Sequence, residues 1–491
     1  MMKVSDLIRD LPISAPGPPA PNIEVFGVTH DSRLVEEGDL YVALVGERFD
    51  GRAFAGEARR RGAAAILSSG GPPDGYAGPW LESRDPRSVM GPLAARIYGH
   101  PDRELIMVGI TGTNGKSTVT ALMTSVLEAA GKPAATLGTL GYSFGDRSFP
   151  GERTTPEATQ LFRTLRQVRD AGAQAVAMEV SSHALAQGRV SGARFDLGVF
   201  TNLTRDHFDF HQGFEDYFAA KQSLFSLLKP EGRAVINIDD PYGRRLAGEL
   251  ERPLTMGEGG DVAVEHARLD EEGIEAAFST PRGRLEIRSP LLGRYNLENL
   301  GVVVAAGEAL ELPPEAMITG LALRGTVSGR LERVDRGQEF PVYIDYAHTD
   351  AALEAALRSL REFSGRQVIV VFGCGGGRDT GKRALMGRVA GALAELPIVT
   401  SDNPRNEDPL EIISAVEEGL RQSGNTAYRV VPDRREAIRR AIHQAGPGWA
   451  VLVAGKGHER VQILGDQELD FSDREEIEQA LEDRFGQGTS G

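Results

Sequence analysis

The chain has 491 residues, a formal net charge of -15, 41% hydrophobic and 25% charged residues, and a single cysteine. At roughly 150 residues per domain this length predicts about three domains, and the composition is that of a globular protein rather than a disordered one. The densest basic run, Arg59 to Arg61, is expected to be a solvated helix face. Without a longer basic stripe, nucleic acid is not an expected partner.

The first residues, "MMKVSDLIRDLP", interrupt their apolar positions with charges, and no apolar stretch of about 18 residues occurs in the sequence. We therefore expect a protein that is neither exported nor membrane-spanning. Cys374 has no partner for an internal disulfide and is expected to be a small buried thiol in an apolar strand. Both features favour the reducing cytoplasm.

The N-terminal part reads as a small α/β domain over residues 1–98. A proline-rich connector, "PISAPGPPAP", follows a short first helix, and "LYVAL" and "AAAIL" are typical of buried strands. A second break, "GGPPDGYAGP" from Gly70, is predicted to be a loop.

The central part opens with "ELIMVGITGTNGKSTVTALMTSVLEAAG", an apolar run, a glycine loop and a helical period that ends at Gly131. Strand-like segments follow at 175–182, 195–202 and 233–239, with helical segments between them. These features predict a central α/β domain over 99–327.

Strands and helices alternate after "SGRLERV", which predicts a Rossmann-like parallel sheet in a third domain over 328–491. The predicted strands are "FPVYIDY", "QVIVVFG", "LPIVT", "YRVV" and "AVLVAG". The predicted helices span 350–362, 382–394, 409–421 and 433–444.

The loop "GITGTNGKS" lacks the strict spacing of a Walker A motif but retains its chemistry. Gly112 and Gly115 let backbone N-H groups approach phosphates at a helix N-terminus, Lys116 can reach the outer phosphates, and Ser117 can bind Mg2+. The alternative is a plain glycine turn between strand and helix.

Several motifs lie in the order found in one family. They are "GITGTNGKST", "TTPE" at 154, "MEVSSHAL" at 178, "TNLTRDHFDFH" at 201, "YFAAKQS" at 217, "GRYNLENL" at 293, "SGRLE" at 328 and "DYAHTDAAL" at 345. With these motifs, and from "VTHDSR" at 28 to "GKGHE" at 455, the chain resembles the Mur ligases of bacterial cell-wall synthesis. The resemblance implies a uridine-nucleotide-binding N-terminal domain, a central P-loop ATPase domain and a C-terminal amino-acid-binding domain.

The resemblance also implies the reaction. A Mur ligase uses ATP to phosphorylate a carboxylate, and an amine then attacks the acyl phosphate to form an amide. Expected ATP-binding residues are Gly112, Thr113, Asn114, Gly115, Lys116, Ser117, Thr118, Asn296, Asn299, Arg330, Asp345 and His348. For Asn296, helix capping is an alternative role.

The family pattern places magnesium at Ser117, Glu179 and His207, with a carbamylated Lys221 at a second metal site. Taken alone, Glu179 could be a strand-end carboxylate, His207 a turn residue and Lys221 a snorkelling surface lysine. The expected catalytic residues are Lys116, His207, Lys221, Arg330 and Asp345.

For the nucleotide-sugar substrate, UDP-N-acetylmuramoyl-L-Ala-D-Glu, the resemblance implies contacts with the N-terminal and central domains. The matching residues are Ser32, the loop around Asp50, Thr154, Thr155, Ser181, Gln187 and Arg189. Arg189 is the clearest on chemical grounds, because the D-glutamyl group carries carboxylates that a guanidinium can pair with.

Polar residues follow four strands of the third domain, which predicts a ligand crevice at the carboxyl edge of its sheet. Arg378 and Arg405 suit carboxylates, whereas Asp402, Asn403 and Glu459 suit an ammonium group. The ligand is therefore expected to be a zwitterion with charge at both ends. In the family the sequence "DNPR", here Asp402 to Arg405 with Pro404, accompanies meso-2,6-diaminopimelate, and Gly455 belongs to the same set.

The expected function is an ATP-dependent ligase, requiring Mg2+, that adds meso-diaminopimelate to UDP-N-acetylmuramoyl-L-Ala-D-Glu, and it is expected to act as a monomer. One alternative is the same reaction with L-lysine. Others are a ligase of the folylpolyglutamate or D-alanyl-D-alanine-adding type, and a non-catalytic nucleotide-binding module.

Overall fold

The computed structural model describes residues 2–15, 23–46, 49–149, 151, 153–323 and 326–486. Part of the proline-rich connector, two residues of the loop before Asp50 and the last five residues lie outside these ranges. The chain divides into two compact units. Unit 1 comprises Met1–Thr111, Gly131–Phe200 and Ala219–Ala234; unit 2 comprises Gly112–Ala130, Thr201–Phe218 and Val235–Gly491. The predicted domain boundaries after residues 98 and 327 stay a prediction.

The first elements are short, and most of them belong to one small α/β layer. They are β1 (Met2–Lys3), α1 (Val4–Leu7), β2 (Glu24–Val25), β3 (Gly27–Thr29), β4 (Asp39–Ala43), α2 (Ala55–Arg60), β5 (Ala65–Ser68), β6 (Trp80–Glu82), α3 (Pro86–Ile97) and α4 (Pro101–Glu104). Strands β3, β4, β5 and β6 form a parallel sheet in that order. Tyr41, Ile66 and Trp80 pack with alanines of α2 in its core. Both predicted strands of this domain are confirmed.

The next elements begin with the strand that precedes the glycine loop. They are β7 (Ile106–Thr111), α5 (Lys116–Ala129), β8 (Ala134–Gly138), β9 (Gly141–Phe144), β10 (Arg147–Phe149), α6 (Ala158–Asp170), β11 (Ala175–Glu179), α7 (Ser182–Ala186), β12 (Phe195–Phe200), α8 (Phe214–Gln222), β13 (Leu228–Asn237), α9 (Pro241–Glu249) and β14 (Leu254–Met256).

In unit 1, β10, β9, β8, β11, β7, β12 and β13 follow one another in a sheet. Strands β8, β11, β7 and β12 are parallel, and β9 and β10 add an antiparallel edge. The carboxyl ends of β7 and β11 therefore lie at one edge, where α/β sheets bind ligands. In unit 2, the last residues of β13 pair in parallel with β14.

A second group of unit 2 elements includes an antiparallel sheet that the sequence analysis did not predict. The elements are β15 (Ala263–Asp270), β16 (Gly273–Thr280), β17 (Gly283–Ser289), α10 (Arg294–Ala309) and α11 (Pro314–Leu323). The three strands pair in chain order through tight turns. Helix α5 packs against α10 and α11.

The remaining elements are β18 (Glu332–Val334), β19 (Val342–Asp345), α12 (Asp350–Ser364), β20 (Gln367–Phe372), α13 (Lys382–Leu393), β21 (Leu396–Val399), α14 (Pro409–Ser423), β22 (Arg429–Val430), α15 (Arg434–Gln444), β23 (Trp449–Ala454), β24 (Val461–Leu464), β25 (Gln467–Asp470) and α16 (Asp473–Phe485). They include the predicted alternation of strands and helices from β19 to β23, together with β18, β24, β25 and α16, which were not predicted. The sheet order is β18, β19, β23, β20, β21, β22.

This six-stranded sheet is parallel apart from the antiparallel edge strand β18. Its faces contribute to two apolar clusters, one with Leu353 and Val416 of α12 and α14 and one with Ile438 and Ile477 of α15 and α16. Burial on both faces explains why its strands read as continuous apolar runs.

Cys374 is buried, as predicted, but it was wrongly placed in a strand. Strand β20 ends at Phe372, and Cys374 lies two residues beyond it. The hairpin of β24 and β25 was also not predicted, because its residues are mostly polar and exposed. Within the described ranges, no helix is both long and apolar enough to cross a membrane.

Candidate active site

The glycine loop enters α5 through two positions that require glycine. Gly112 has φ 150° and Gly115 has φ 86°, in a region where side chains are strained. A Cβ atom at Gly112 would lie 1.9 Å from Thr201 Oγ1, and one at Gly115 would lie 2.4 Å from Asn299 Oδ1. The loop can therefore bring its backbone N-H groups close to an anion at the α5 N-terminus.

The segment 201–204 holds the loop in shape. Thr201 Oγ1 donates to the Asn114 carbonyl (2.6 Å), and the Asn114 N-H donates to Asn202 Oδ1 (2.9 Å). Thr113 Oγ1 accepts from the Thr204 N-H (3.0 Å). The motif containing these residues was recognised in the sequence, but Thr201, Asn202 and Thr204 were not predicted to support the loop.

Lys116 and Ser117, at the start of α5, have the contacts expected of a phosphate site. Lys116 Nζ donates to the carbonyls of Gly112 (3.0 Å) and Thr113 (2.9 Å), which holds the ammonium over the loop. Arg330 Nη2 donates to Ser117 Oγ (3.2 Å). Lys116 and Arg330 thus place two cations beside the glycine loop at the start of α5.

A cavity of about 330 Å³ opens beside this loop within unit 2. Its lining includes six of the predicted ATP-binding residues: Asn114, Gly115, Thr118, Asn299, Arg330 and Asp345. The other predicted residues, Gly112, Thr113, Lys116, Ser117, Asn296 and His348, do not line it.

Asn296 is fully buried in the first turn of α10. Its Nδ2 donates to the Leu292 carbonyl (2.8 Å), and its Oδ1 accepts from Asn299 Nδ2 (3.0 Å). The residue at the helix N-cap is Gly293, so the capping alternative for Asn296 is wrong. Asn296 instead orients Asn299, which lines the cavity.

Asp345 ends β19 and is held on several sides. Its Oδ2 accepts from the Tyr295 hydroxyl (3.0 Å) and the Leu331 N-H (2.8 Å), and its Oδ1 accepts from the Ala347 N-H (2.8 Å). Burial raises the pKa of Asp345, and the charge of Arg330 opposes this effect. The carboxylate therefore has a fixed orientation at the cavity wall.

Three further carboxylates in the cavity wall were missed by the sequence analysis: Asp239, Asp240 and Glu298. Burial, followed by the charge of Asp239, raises the pKa of Glu298 to about 7. Asp240 is fixed as the N-cap of α9 and accepts from the Leu203 N-H (3.0 Å). Asp239 and Asp240 lie outside the recognised motifs, and Glu298 lies in "GRYNLENL" but was not predicted to line the site.

The segment after β12 contacts loops of the six-stranded-sheet region. Arg205 forms a bidentate pair with Asp379 (2.9 and 3.1 Å). Asp206 Oδ2 lies 3.4 Å from His207 Nε2 and 3.7 Å from His348 Nε2. Burial would raise the pKa of Asp206, but these histidines and Lys382 hold it well below its usual range. His348 thus contacts Asp206 rather than the cavity.

The predicted metal ligands are divided between the units, Ser117 and His207 in unit 2 and Glu179 and Lys221 in unit 1. Glu179 ends β11, is 2% exposed, and accepts from the Thr139 N-H (2.8 Å) and hydroxyl (3.1 Å). Lys221 is 1% exposed, so it is not a snorkelling surface lysine. Among the described residues no three His, Cys, Asp or Glu side chains form a metal-binding group, and the predicted set contains only two of these types.

Thr154, Thr155 and Ser181 lie together in unit 1. Thr155 Oγ1 donates to the Glu179 carbonyl (2.9 Å) and accepts from the Ser181 N-H (3.0 Å). Thr154 Oγ1 lies 3.0 Å from Thr139 Oγ1. Ser181 also caps α7 through the Ala184 N-H (3.2 Å).

Gln187 and Arg189 join a cationic cluster around Glu157. Arg189 Nε lies 3.1 Å from Glu157 Oε1, and Arg189 Nη2 donates to Gln187 Oε1 (2.5 Å). Arg87 and Arg153 also approach Glu157, at 3.2 and 3.5 Å. Three arginines around one internal carboxylate leave a net positive site, and Arg87 and Arg153 were not predicted.

The predicted uridine-site residues lie near the four-stranded sheet. Ser32 is buried in a short 3-10 turn after β3. Asp50 pairs with Arg52 (2.6 Å) at the start of a second such turn. Part of the loop before Asp50 lies outside the described residues.

The predicted diaminopimelate-binding residues meet at the carboxyl edge of the six-stranded sheet. Arg405 is half-buried, and its Nη1 donates to the Gly376 carbonyl (2.9 Å). Burial and the nearby positive charge of Arg378 lower the pKa of the Arg405 guanidinium. The two guanidiniums are thus close enough to repel, which an anion between them would relieve.

Asp402, which follows β21, lies close to Gly455, which follows β23. Asp402 Oδ2 is buried and accepts no hydrogen bond within the described protein. A Cβ atom at Gly455 would lie 2.7 Å from this oxygen, so glycine keeps the approach open. Pro404, between Asn403 and Arg405, is buried.

Asn403 and Glu459 are joined by a lysine that was not predicted. Asn403 Nδ2 donates to Glu459 Oε2 (2.9 Å). Lys456 Nζ donates to Asn403 Oδ1 (3.0 Å) and to Glu459 Oε2 (3.0 Å). Asn403 and Glu459 therefore lie together, as expected for residues that follow strands of one sheet.

A phosphate-binding loop beside a nucleotide-sized cavity, together with a parallel sheet that presents paired arginines and carboxylates, defines an α/β nucleotide-dependent enzyme of several domains. Three family models match: "Mur ligase family, catalytic domain" over residues 24–91, "Mur ligase middle domain" over 110–307, and "Mur ligase, glutamate ligase domain" over 329–457. The chain belongs to the Mur ligase family. The predicted three-domain α/β fold class is thereby confirmed.

Two relatives share this family. UDP-N-acetylmuramoyl-L-alanyl-D-glutamate--2,6-diaminopimelate ligase of Geobacter metallireducens is 45% identical, over 99% of this chain and 100% of its own. The ligase of the same name from Streptomyces coelicolor is 43% identical, over 98% and 97%. A solved structure with that name is similar at 32% identity and TM-score 0.69, covering 98% of this chain and 99% of its own.

Proposed function

We propose that this chain is an ATP-dependent ligase that adds meso-2,6-diaminopimelate to UDP-N-acetylmuramoyl-L-Ala-D-Glu. ATP phosphorylates a carboxylate of the D-glutamyl group and leaves as ADP. The amine of diaminopimelate then attacks the acyl carbon, phosphate leaves, and the amine loses a proton as the amide forms. The names of the relatives at 45% and 43% identity support this reaction.

The observation that carries the choice of amino acid is the charge pattern at the edge of the six-stranded sheet. Arg405 and Arg378 present two guanidiniums, whereas Asp402 has a buried oxygen that accepts no hydrogen bond within the described ranges. Diaminopimelate carries an ammonium and a carboxylate at each end, and L-lysine lacks the distal carboxylate. L-lysine would leave Arg405 without a carboxylate partner. It should therefore bind poorly, because no ion pair would offset the desolvation of the guanidinium.

For ATP, the cavity lined by Asn299, Arg330 and Asp345 is the proposed site of the nucleoside, and the loop Gly112 to Thr118 is the proposed site of the phosphates. Lys116 and Arg330 stabilise negative charge as the γ-phosphoryl group is transferred. Asn296 takes part through Asn299, and Asp345 positions residues around the ribose.

For magnesium, we propose Ser117, Glu179 and His207 as ligands, with Lys221 at a second metal position. Hydroxyl and carboxylate oxygens suit Mg2+, and Glu179 keeps acceptor capacity beyond its two bonds from Thr139. When bound, the ion would neutralise phosphate charge.

We further propose that Lys221 is carbamylated, its amine adding carbon dioxide with loss of a proton. Lys221 is 1% exposed, and a carbamate there would place an oxygen ligand for a metal ion where the lysine itself offers none. An intact mass about 44 Da above that of the unmodified chain, absent in Lys221→Ala, would support the carbamate.

For the nucleotide-sugar substrate, we propose that Arg189 and Gln187 bind the D-glutamyl group, with Thr154, Thr155 and Ser181 along the peptide and Ser32 near the uridine. The surplus of arginines around Glu157 supports an anionic ligand there. We propose a cytoplasmic monomer with domains at 1–98, 99–327 and 328–491.

Phosphate release tests the proposal. The purified protein is mixed with ATP, Mg2+ and UDP-N-acetylmuramoyl-L-Ala-D-Glu, together with diaminopimelate, L-lysine or neither. We expect phosphate release only with diaminopimelate, and a tripeptide product by mass spectrometry. Stimulation by lysine alone would support the lysine alternative, and no stimulation by either would overturn the proposed function.

A further inference from the structure

Lys456 is a fully buried cation in the loop after β23. Its side chain is 0% exposed, and it contacts Asn403 and Glu459, two residues of the proposed diaminopimelate site. Burying an ammonium is costly unless it is paired and hydrogen-bonded. Lys456 meets this requirement through Asn403 Oδ1 and Glu459 Oε2, at 3.0 Å each.

These contacts fix the orientation of the Asn403 amide. Its Oδ1 accepts from two donors, Lys456 Nζ and the Ile463 N-H, both at 3.0 Å. An amide nitrogen could not take that place, because it has no lone pair to accept them. The Nδ2 group therefore points to Glu459, where one N-H is used (2.9 Å) and the other remains for a ligand.

The same contacts fix the Glu459 carboxylate. Its Oε2 accepts from both Lys456 and Asn403, whereas Oε1 accepts a longer hydrogen bond from the Tyr346 hydroxyl, at 3.4 Å. Glu459 thus turns one oxygen inward and keeps the other available. The ion pair with Lys456 also offsets part of its charge, while Asp402 Oδ2 accepts no hydrogen bond from any residue that the structure describes.

We propose that Lys456 is a positioning residue for the amino-acid substrate: it holds Asn403 and Glu459 so that one amide N-H and one carboxylate oxygen face a zwitterionic ligand beside Asp402. This role rests on the proposed function. Lys456 does not contact the reacting atoms, so its loss should weaken binding of the amino acid and leave the nucleotide steps intact.

The test is steady-state kinetics of phosphate release with Lys456→Met, which keeps the length of the side chain and removes the charge. We expect KM for diaminopimelate to rise on the order of 10- to 100-fold, as for loss of a hydrogen bond to a charged group. The KM values for ATP and for the nucleotide substrate should stay within about 2-fold. Arg460→Met, at an exposed cation four positions along, is the matched control and should change none of them.

Chemical rescue separates positioning from packing. Lys456→Ala leaves a space for n-propylammonium, which restores the charge, whereas 1-propanol fills a similar volume without it. We expect n-propylammonium to lower KM for diaminopimelate and 1-propanol to have no effect. Asn403→Asp tests the same hydrogen-bond network without changing Lys456. It replaces the amide donor to Glu459 by a carboxylate oxygen and should also raise KM for diaminopimelate.

The two proposals fail in different ways. No turnover of diaminopimelate by the unaltered protein would overturn the proposed function. Turnover by that protein with an unchanged KM in Lys456→Met, an equal rise of all three KM values, or equal rescue by 1-propanol would overturn the role of Lys456 alone.

Discussion

Arg330 Nη2 donates a hydrogen bond to Ser117 Oγ at 3.2 Å, although the two residues lie 213 positions apart. Arg330 also lies over the Tyr346 ring, 4.9 Å from its centroid. The contact brings a guanidinium from the segment before β18 to the phosphate loop, at the residue proposed to hold magnesium.

We therefore expect Arg330→Ala to lower kcat for phosphate release on the order of 100-fold, because a cation near the transferred phosphoryl group acts mainly in the transition state. Arg330→Lys keeps the positive charge but loses the planar guanidinium. Its kcat should therefore lie between those of Arg330→Ala and the unaltered protein. A value for Arg330→Ala within 2-fold of the unaltered protein would contradict this role.

Arg405→Ala should lower kcat/KM for diaminopimelate by about 100-fold or more, because the distal carboxylate would lose a half-buried guanidinium partner. Binding of ATP, measured by calorimetry, should change little, since Arg405 does not line the nucleotide cavity. Arg460→Ala is the exposed control. Equal losses for both ligands in Arg405→Ala would indicate general damage to the fold.

Gly112→Ala should destabilise the protein by several degrees in Tm and abolish turnover. The added Cβ would meet Thr201 Oγ1 at 1.9 Å, at φ 150°, where any side chain is strained. Gly248→Ala, in α9 and with nothing within 4 Å of its added Cβ, is the matched control. It should be neutral or stabilising by about 0.5–1 kcal/mol.

Glu298 predicts a pH effect on stability. Its pKa is raised to about 7 in the fold, from 4.5, mainly by burial. Between these values the folded state binds more protons than the unfolded one, so stability falls as pH rises from about 4.5 to 7. Glu298→Gln has no carboxyl group to titrate, so it should not lose stability in this way. The Tm of the variant minus the Tm of the unaltered protein should therefore be larger at pH 8 than at pH 5. The residue as a whole is exposed although its carboxyl group is desolvated at the cavity wall, so the gain should stay under about 1 kcal/mol. An equal difference at both pH values would be evidence against the titration.

Cys374 should be unreactive in the folded protein. Burial raises the pKa of its thiol to about 12, so almost no thiolate forms at neutral pH. Ellman's reagent should release about one equivalent of chromophore after denaturation and almost none before. Rapid reaction in native buffer would show that the segment after β20 opens readily.

Much of the fold could be predicted because its signals are local. The alternation of apolar runs and amphipathic helices after residue 328 indicated each of the main parallel strands. The glycine loop was recognisable because phosphate binding requires particular residues at fixed spacing. Strand ends also indicated the crevice, since Asp345, Asp402 and Glu459 each follow a strand of one sheet.

The remainder depended on contacts between distant segments. The roles of Thr201 and Asn202 follow from their bonds to Asn114 and could not be derived from local pattern. Lys456 lies in the motif "GKGHE" at 455, but its proposed role is indicated by its burial and its hydrogen bonds to Asn403 and Glu459. Asn296 shows the reverse case, because its sequence position allowed capping and the fold excludes it.

The most direct test of the central claim is a competition between meso-diaminopimelate and L-lysine. Both amino acids are supplied at equal concentration with ATP, Mg2+ and UDP-N-acetylmuramoyl-L-Ala-D-Glu, and the two tripeptide products are measured by mass spectrometry. The pairing of Arg405 with a distal carboxylate predicts an excess of the diaminopimelate product on the order of 1,000-fold or more. Comparable amounts of the two products, or an excess of the lysine product, would contradict it.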